Sequence, residues 1–157
     1  ASVDRRDSLA IRGRMAVPKL TAVTVSGVFR ALSGQPFTIE DTNIDADQNG
    51  VLFDPLPAGT YSGTSEDSMQ NVENAGGRNG AIGPGFMQLD TRISYRARLG
   101  GRRTLDVFGD IFNTTNHVNF TNPSGDRRNT ADFLRLSTLV ATSGLPRQFQ
   151  LGLRFGF

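Results

Sequence analysis

The stretch Pro146-Arg147-Gln148-Phe149-Gln150-Leu151-Gly152-Leu153-Arg154-Phe155-Gly156-Phe157 alternates apolar with polar or small residues up to its last position. Successive side chains of an extended chain point to opposite sides. Phe149, Leu151, Leu153, Phe155 and Phe157 therefore share one face, and Gln148, Gln150, Gly152, Arg154 and Gly156 share the other. A chain terminus ordinarily frays into polar residues, whereas this one stays in pattern to an aromatic. The expectation is a strand with one greasy and one wet face.

Four more segments read as strands. Residues 8–16 set Leu9, Ile11, Gly13 and Met15 against Arg12 and Arg14. Val17-Pro18-Lys19 then breaks the run, because proline cannot donate to a ladder. Residues 20–31 are rich in β-branched types, with Val23, Val25 and Phe29 opposite Thr24, Ser26 and Arg30. Between 86 and 98, Met87, Leu89, Thr91, Ile93, Tyr95 and Ala97 alternate with Gln88, Asp90, Arg92, Ser94, Arg96 and Arg98. No helical face accommodates charges recurring every two residues. The glycine-centred turn Leu99-Gly100-Gly101-Arg102-Arg103 leads into residues 104–113, where Leu105, Val107, Gly109 and Ile111 lie opposite Asp106, Phe108, Asp110 and Phe112. If Leu99 meets Arg103 across a three-residue loop, Arg96 faces Asp106 and Arg92 faces Asp110.

Two long stretches, 33–85 and 114–146, lose this periodicity in favour of Gly, Asn, Asp, Ser and Pro. Connections of that length are uncommon inside a compact soluble domain. They suit a membrane barrel, in which short periplasmic turns alternate with long extracellular loops. Counted back from a periplasmic C-terminus, the turns near 18 and 101 fall on one side and both long stretches on the other. Within the second stretch, Asp132 to Val140 reads as one short helix or a strand extension.

Composition agrees with an all-β chain. Of 157 residues, 37% are hydrophobic, while 18 glycines and 7 prolines punctuate many short elements. No apolar run approaches the roughly 18 residues of a membrane helix, and averaging hides the ten-residue alternation of a barrel strand. The absence of cysteine removes thiolate zinc sites, disulfides and cysteine nucleophiles. A single histidine, His117, leaves little for acid–base or metal chemistry, and a net charge of +2 spread along the chain does not suit nucleic acid. No catalytic activity is expected. The opening Ala1-Ser2-Val3-Asp4-Arg5-Arg6 has neither a methionine nor the order of a secretion signal, so the chain reads as a piece of something longer.

Four local patterns carry a resemblance. They are Ser33-Gly34-Gln35-Pro36-Phe37-Thr38, the run Gly83-Pro84-Gly85-Phe86-Met87-Gln88-Leu89-Asp90, the stretch from Ile111 to Phe120, and the terminal Pro146 to Phe157. In order and spacing they resemble the C-terminal barrel segment of a TonB-dependent outer-membrane receptor, of the Oar-like branch whose barrels often follow a carboxypeptidase-regulatory-like domain. The resemblance implies a barrel of about 22 strands, imported ligands such as metal chelates or oligosaccharides, energy from TonB through the N-terminal part, and lipid and the barrel assembly machinery as further partners. It also implies that Gln150, Gly152, Phe155 and Phe157 form the terminal assembly signal. The imported ligand and the residues that touch it stay unassigned.

The expected fold is thus an antiparallel meander of about five strands, a partial and unclosed barrel in the outer membrane of a Gram-negative-type bacterium, with the Arg92–Asp110 and Arg96–Asp106 pairs facing its lumen. About eight strands are the minimum for closure. The competing reading is a secreted calcium-dependent β-sandwich binding module, in which the apolar faces bury one another. On either reading the one candidate calcium site is Asp41 to Gly50 in the first long stretch, where Asp45, Asp47 and Asn49 alternate as in an EF-hand loop, although Leu56 stands where the closing glutamate belongs. A solvated Asx-rich turn explains the same residues. Asn113, Asn116, Asn119 and Asn122 read as caps for backbone groups at a strand exit.

Overall fold

A computed structural model describes residues 5–45, 48–141 and 144–157. The described residues form no helix. Eleven strands run β1 (Ser8–Val17), β2 (Leu20–Leu32), β3 (Pro36–Phe37), β4 (Glu40–Asp41), β5 (Asp54–Pro55), β6 (Gly59–Tyr61), β7 (Val72–Asn74), β8 (Ala81–Ile82), β9 (Phe86–Arg98), β10 (Thr104–Phe112) and β11 (Gln148–Gly156). The five long ones lie where the alternation places strands. They form one sheet in the order β1-β2-β9-β10-β11, an antiparallel meander with β1 and β11 as its two edges, so the sheet does not close.

The chain divides into two compact units. One comprises Ser8–Ala31, Met87–Val118 and Ala141–Phe157, which is nearly all of the five-stranded sheet. Its two tight turns follow from backbone chemistry. Pro18 enters the β1–β2 turn, and Lys19 takes a φ of 69°, the left-handed conformation that the third position of a type II turn demands. Gly100 and Gly101, at φ 93° and 59°, close the β9–β10 turn, with Leu99 N donating to Arg103 O at 3.0 Å. Paired residues of β9 and β10 run from Thr104 with Arg98 to Ile111 with Thr91.

Within this unit the apolar face is bare. Ile11 is 56% exposed, Ile93 52% and Leu151 87%, and among the described residues no second layer of the unit covers them. Leaving that much apolar surface in water would be costly at about 25 cal/mol per Å². The opposite face carries Arg12, Arg14, Arg92, Arg96 and the aspartates.

The other unit gathers residues up to Asp7, Leu32–Phe86 and Asn119–Val140. The long stretches are not structureless. They hold a four-stranded sheet in the order β3-β8-β7-β6 and a two-stranded one, β4-β5. Their core is Phe37, Ile39, Leu56, Val72, Ala81, Phe133 and Leu134, with Tyr61 and Met69 against it. Ladders of two or three residues are too short to show a period, which is why the alternation fades there. Asp132 to Val140 is neither the helix nor the strand extension expected of it. Phe133, Arg135 and Leu139 instead make isolated bridges to Ser124, Ser68 and Phe120, and fully buried Leu134 adopts a φ of 58°.

Candidate functional site

The polar face of the five-stranded sheet holds the chemistry of the chain. Asp110 lies across from Arg92, and Asp106 from Arg96. Each arginine grips its carboxylate at two points. Arg92 donates through Nε and Nη2, the latter at 2.8 Å, to Asp110, which is nearly buried. Arg96 does the same to Asp106 at 2.6 and 2.8 Å. The planar guanidinium fork matches a carboxylate edge to edge, so each pair fixes geometry as well as charge.

Arg92 has a second contact. Its guanidinium carbon stands 4.5 Å from the centre of the Phe108 ring, within cation–π range. Phe108 in turn lies opposite Gly152 of β11, with the tip of its ring in the space a side chain at 152 would fill. A Cβ built on Gly152 would stand 2.3 Å from the ring. Asp110, Arg92, Phe108 and Gly152 therefore form one stack that ties three strands together.

The other residues of the expected terminal signal fall along the same strand. Gln150 lies opposite Asp110 and Phe155 opposite Leu105. The Phe155 and Phe157 rings are neighbours on the apolar face, with centroids 6.2 Å apart.

Where β9 and β10 leave the sheet, Arg30, Gln88 and Asp90 join. Arg30 Nη2 donates to Gln88 Oε1 at 3.2 Å and stands 3.5 Å from Asp90, while Gln88 Nε2 donates to Asp90 at 2.7 Å. Asn113 closes this end. It is almost fully buried, with a φ of 49°, its backbone N–H donates to Asp90, and its side-chain amide donates to the carbonyls of His117 and Leu145. Asn116 accepts from the Arg147 N–H at 3.0 Å, and in the other unit Asn122 donates to the Pro36 carbonyl at 3.2 Å. Asn113 and Asn116 thus do the capping work read from the sequence at the strand exit, whereas Asn122 caps a carbonyl elsewhere.

Of the calcium candidates, Asp45 and Asn49 are described, and both accept backbone N–H groups. Both Asp45 carboxylate oxygens accept backbone N–H groups, from Asn49 and Gly50 at 2.9 Å each, and Asn49 Oδ1 accepts from Val51 at 2.8 Å. Asp47 lies outside the described residues. Among the described residues no three His, Cys, Asp or Glu side chains gather as a metal site would require.

Two partners were not legible in advance. Phe108 and Gly152 each appear on the wet face by parity, but their meeting depends on the β10–β11 register. The long connection between those strands leaves that register open. The Arg30–Asp90 contact depends likewise on how β2 meets β9 across the first long stretch.

The family model described as outer membrane beta barrel domain matches residues 20–150. The chain belongs to that outer-membrane β-barrel family. No match is found among curated proteins or among solved structures. As an outer-membrane barrel segment, its bare apolar face has a physical explanation, because strands that cross a bilayer turn apolar residues to hydrocarbon and polar ones inward. The secreted β-sandwich is set aside on the same ground. It needs a second sheet over that face, and the described residues of the unit form none.

Proposed function

We propose that the chain is the C-terminal barrel segment of a TonB-dependent uptake receptor of the Oar-like branch, carried by a Gram-negative-type bacterium. On this reading it moves a ligand and catalyses nothing. The Arg92–Asp110 and Arg96–Asp106 pairs line the water-filled lumen. The turns at Pro18-Lys19 and Gly100-Gly101 are periplasmic, and the connections 33–85 and 114–146 are extracellular.

The observation that carries the reading is the meeting of motifs far apart in sequence. A Cβ on Gly34, in the first motif, would stand 1.9 Å from the carbonyl oxygen of Gly83, which opens the second. A Cβ on Gly83 would stand 2.0 Å from Asn122 Oδ1, two residues beyond the third. Gly83 N donates to Gln35 O at 2.9 Å, which locks the crossing. Gly34 is needed because two backbones touch there and Gly83 because the Asn122 side chain fills its Cβ position, so the first pattern and the start of the second interlock. Covalent cross-linking in intact cells tests the uptake reading. The full-length protein is expected to give an adduct with TonB. If it reaches the outer membrane and never does so, uptake is refuted while the barrel family stands.

A further inference from the structure

The polar face of the five-stranded sheet has more arginine than carboxylate. Arg12 and Arg14 come from β1, Arg30 from β2, Arg92, Arg96 and Arg98 from β9, and Arg154 from β11, against Asp90, Asp106 and Asp110. All three carboxylates are engaged, by Arg30, Arg96 and Arg92 respectively. Arg12, Arg14, Arg98 and Arg154 make no ion pair among the described residues. Arg154 stands opposite Asp106 and adds a favourable charge interaction to it, but both of that carboxylate's oxygens already accept from Arg96, which leaves the Arg154 guanidinium donors uncommitted.

Three of these four arginines border one hollow. Arg14, Arg98 and Arg154, with the Thr24 and Ser26 hydroxyls, line a space of about 490 Å³ that the Arg96–Asp106 pair and Arg92 also border, so its one carboxylate is already held by Arg96. It has the size of a small-molecule site. Like charges converging on one space repel each other, and more so with protein on one side and little salt screening. An ammonium or a neutral solute relieves none of that repulsion. A compact anion with several charged oxygens does, since each guanidinium offers a two-pronged donor to a phosphate or carboxylate edge and the hydroxyls supply further donors. An acidic protein partner would want a face of roughly 800 Å², whereas the unpaired charge is concentrated around one hollow.

We propose that this hollow binds a small multivalent oxyanion between Arg14, Arg98 and Arg154. The site rests on the interior reading of the polar face and is independent of TonB.

The test is calorimetry on the full-length protein purified in detergent at low salt, with pyrophosphate and citrate as probes and nitrate as the monovalent control. Pyrophosphate or citrate is expected to bind. The Arg98→Gln/Arg154→Gln double variant and Arg14→Gln are each expected to weaken binding by about tenfold or more, as loss of charge-assisted hydrogen bonds implies. Arg127→Gln/Arg128→Gln, in the other unit, is expected to bind as the unaltered protein does. Retained heat-modifiability on gels certifies that each variant is folded. Binding of neither probe, binding equal in all variants, or binding of an oligoglutamate peptide without either probe would overturn the site. The interior reading has its own readout. A charged thiol reagent applied to outer-membrane vesicles is expected to label Ser94→Cys and spare Ile93→Cys, and the reverse pattern refutes the interior assignment itself.

Discussion

Replacing Gly152 with alanine puts a methyl group where the Phe108 ring now lies, 2.3 Å from its tip and 2.5 Å from the adjoining carbon. Ordinary carbon contacts begin near 3.5 Å, so the ring must swing away by more than an ångström. Two losses follow. The Arg92–Phe108 contact at 4.5 Å opens, which at an exposed site is worth about 0.5–1 kcal/mol. The ring or its neighbours leave their preferred rotamers, at about 0.5–1.5 kcal/mol. Together they amount to about 1–2.5 kcal/mol, in the usual range for overpacking. Denaturant unfolding of the full-length protein in detergent, followed by far-ultraviolet circular dichroism, measures it. Phe108→Ala is the decisive background, because it removes the ring that the methyl strikes. There the alanine at 152 is expected to cost less than about 0.5 kcal/mol, the level at which independent sites simply add. An equal penalty in both backgrounds would refute the stack and leave Gly152 a role in assembly alone.

Three further outcomes are expected. Deleting Phe157, a nearly fully exposed residue, is expected to lower the amount of full-length protein in the outer membrane with little effect on the unfolding of the protein that does arrive; unchanged surface abundance and heat-modifiability would end the assembly role. Arg92→Ala leaves the nearly buried Asp110 carboxylate without its two donors, so it is expected to destabilise by about 1–3 kcal/mol, more than Arg96→Ala, whose Asp106 partner is better exposed; equal losses in chemical denaturation would contradict the burial argument. Lys19→Gly relieves a left-handed backbone at φ 69° that disfavours side chains by about 1–2 kcal/mol, and is expected to leave stability unchanged or raise it slightly, with a measured fall in the unfolding midpoint as the contrary result.

The five long strands, their two-faced character and the β9–β10 pairs were determined by sequence alone. Strict alternation names the faces without any knowledge of neighbours, and a hairpin turn of known length sets register by simple counting, so Arg92 had to meet Asp110 once Leu99 met Arg103. Tertiary structure decided what long connections separate. Phe108 and Gly152, like Arg30 and Asp90, are brought together by registers that no short turn enforces. The same holds for the unit built from the long stretches, whose core takes Phe37, Ile39, Leu56, Val72, Ala81, Phe133 and Leu134 one or two at a time from distant points of the chain. A period needs several consecutive residues in one environment, and a ladder of two or three never supplies them. Asp45 makes the complementary point. Its spacing from Asn49 suits a cation loop and an Asx turn equally well, and the backbone adds only that two N–H groups are aimed at the carboxylate, an arrangement both share.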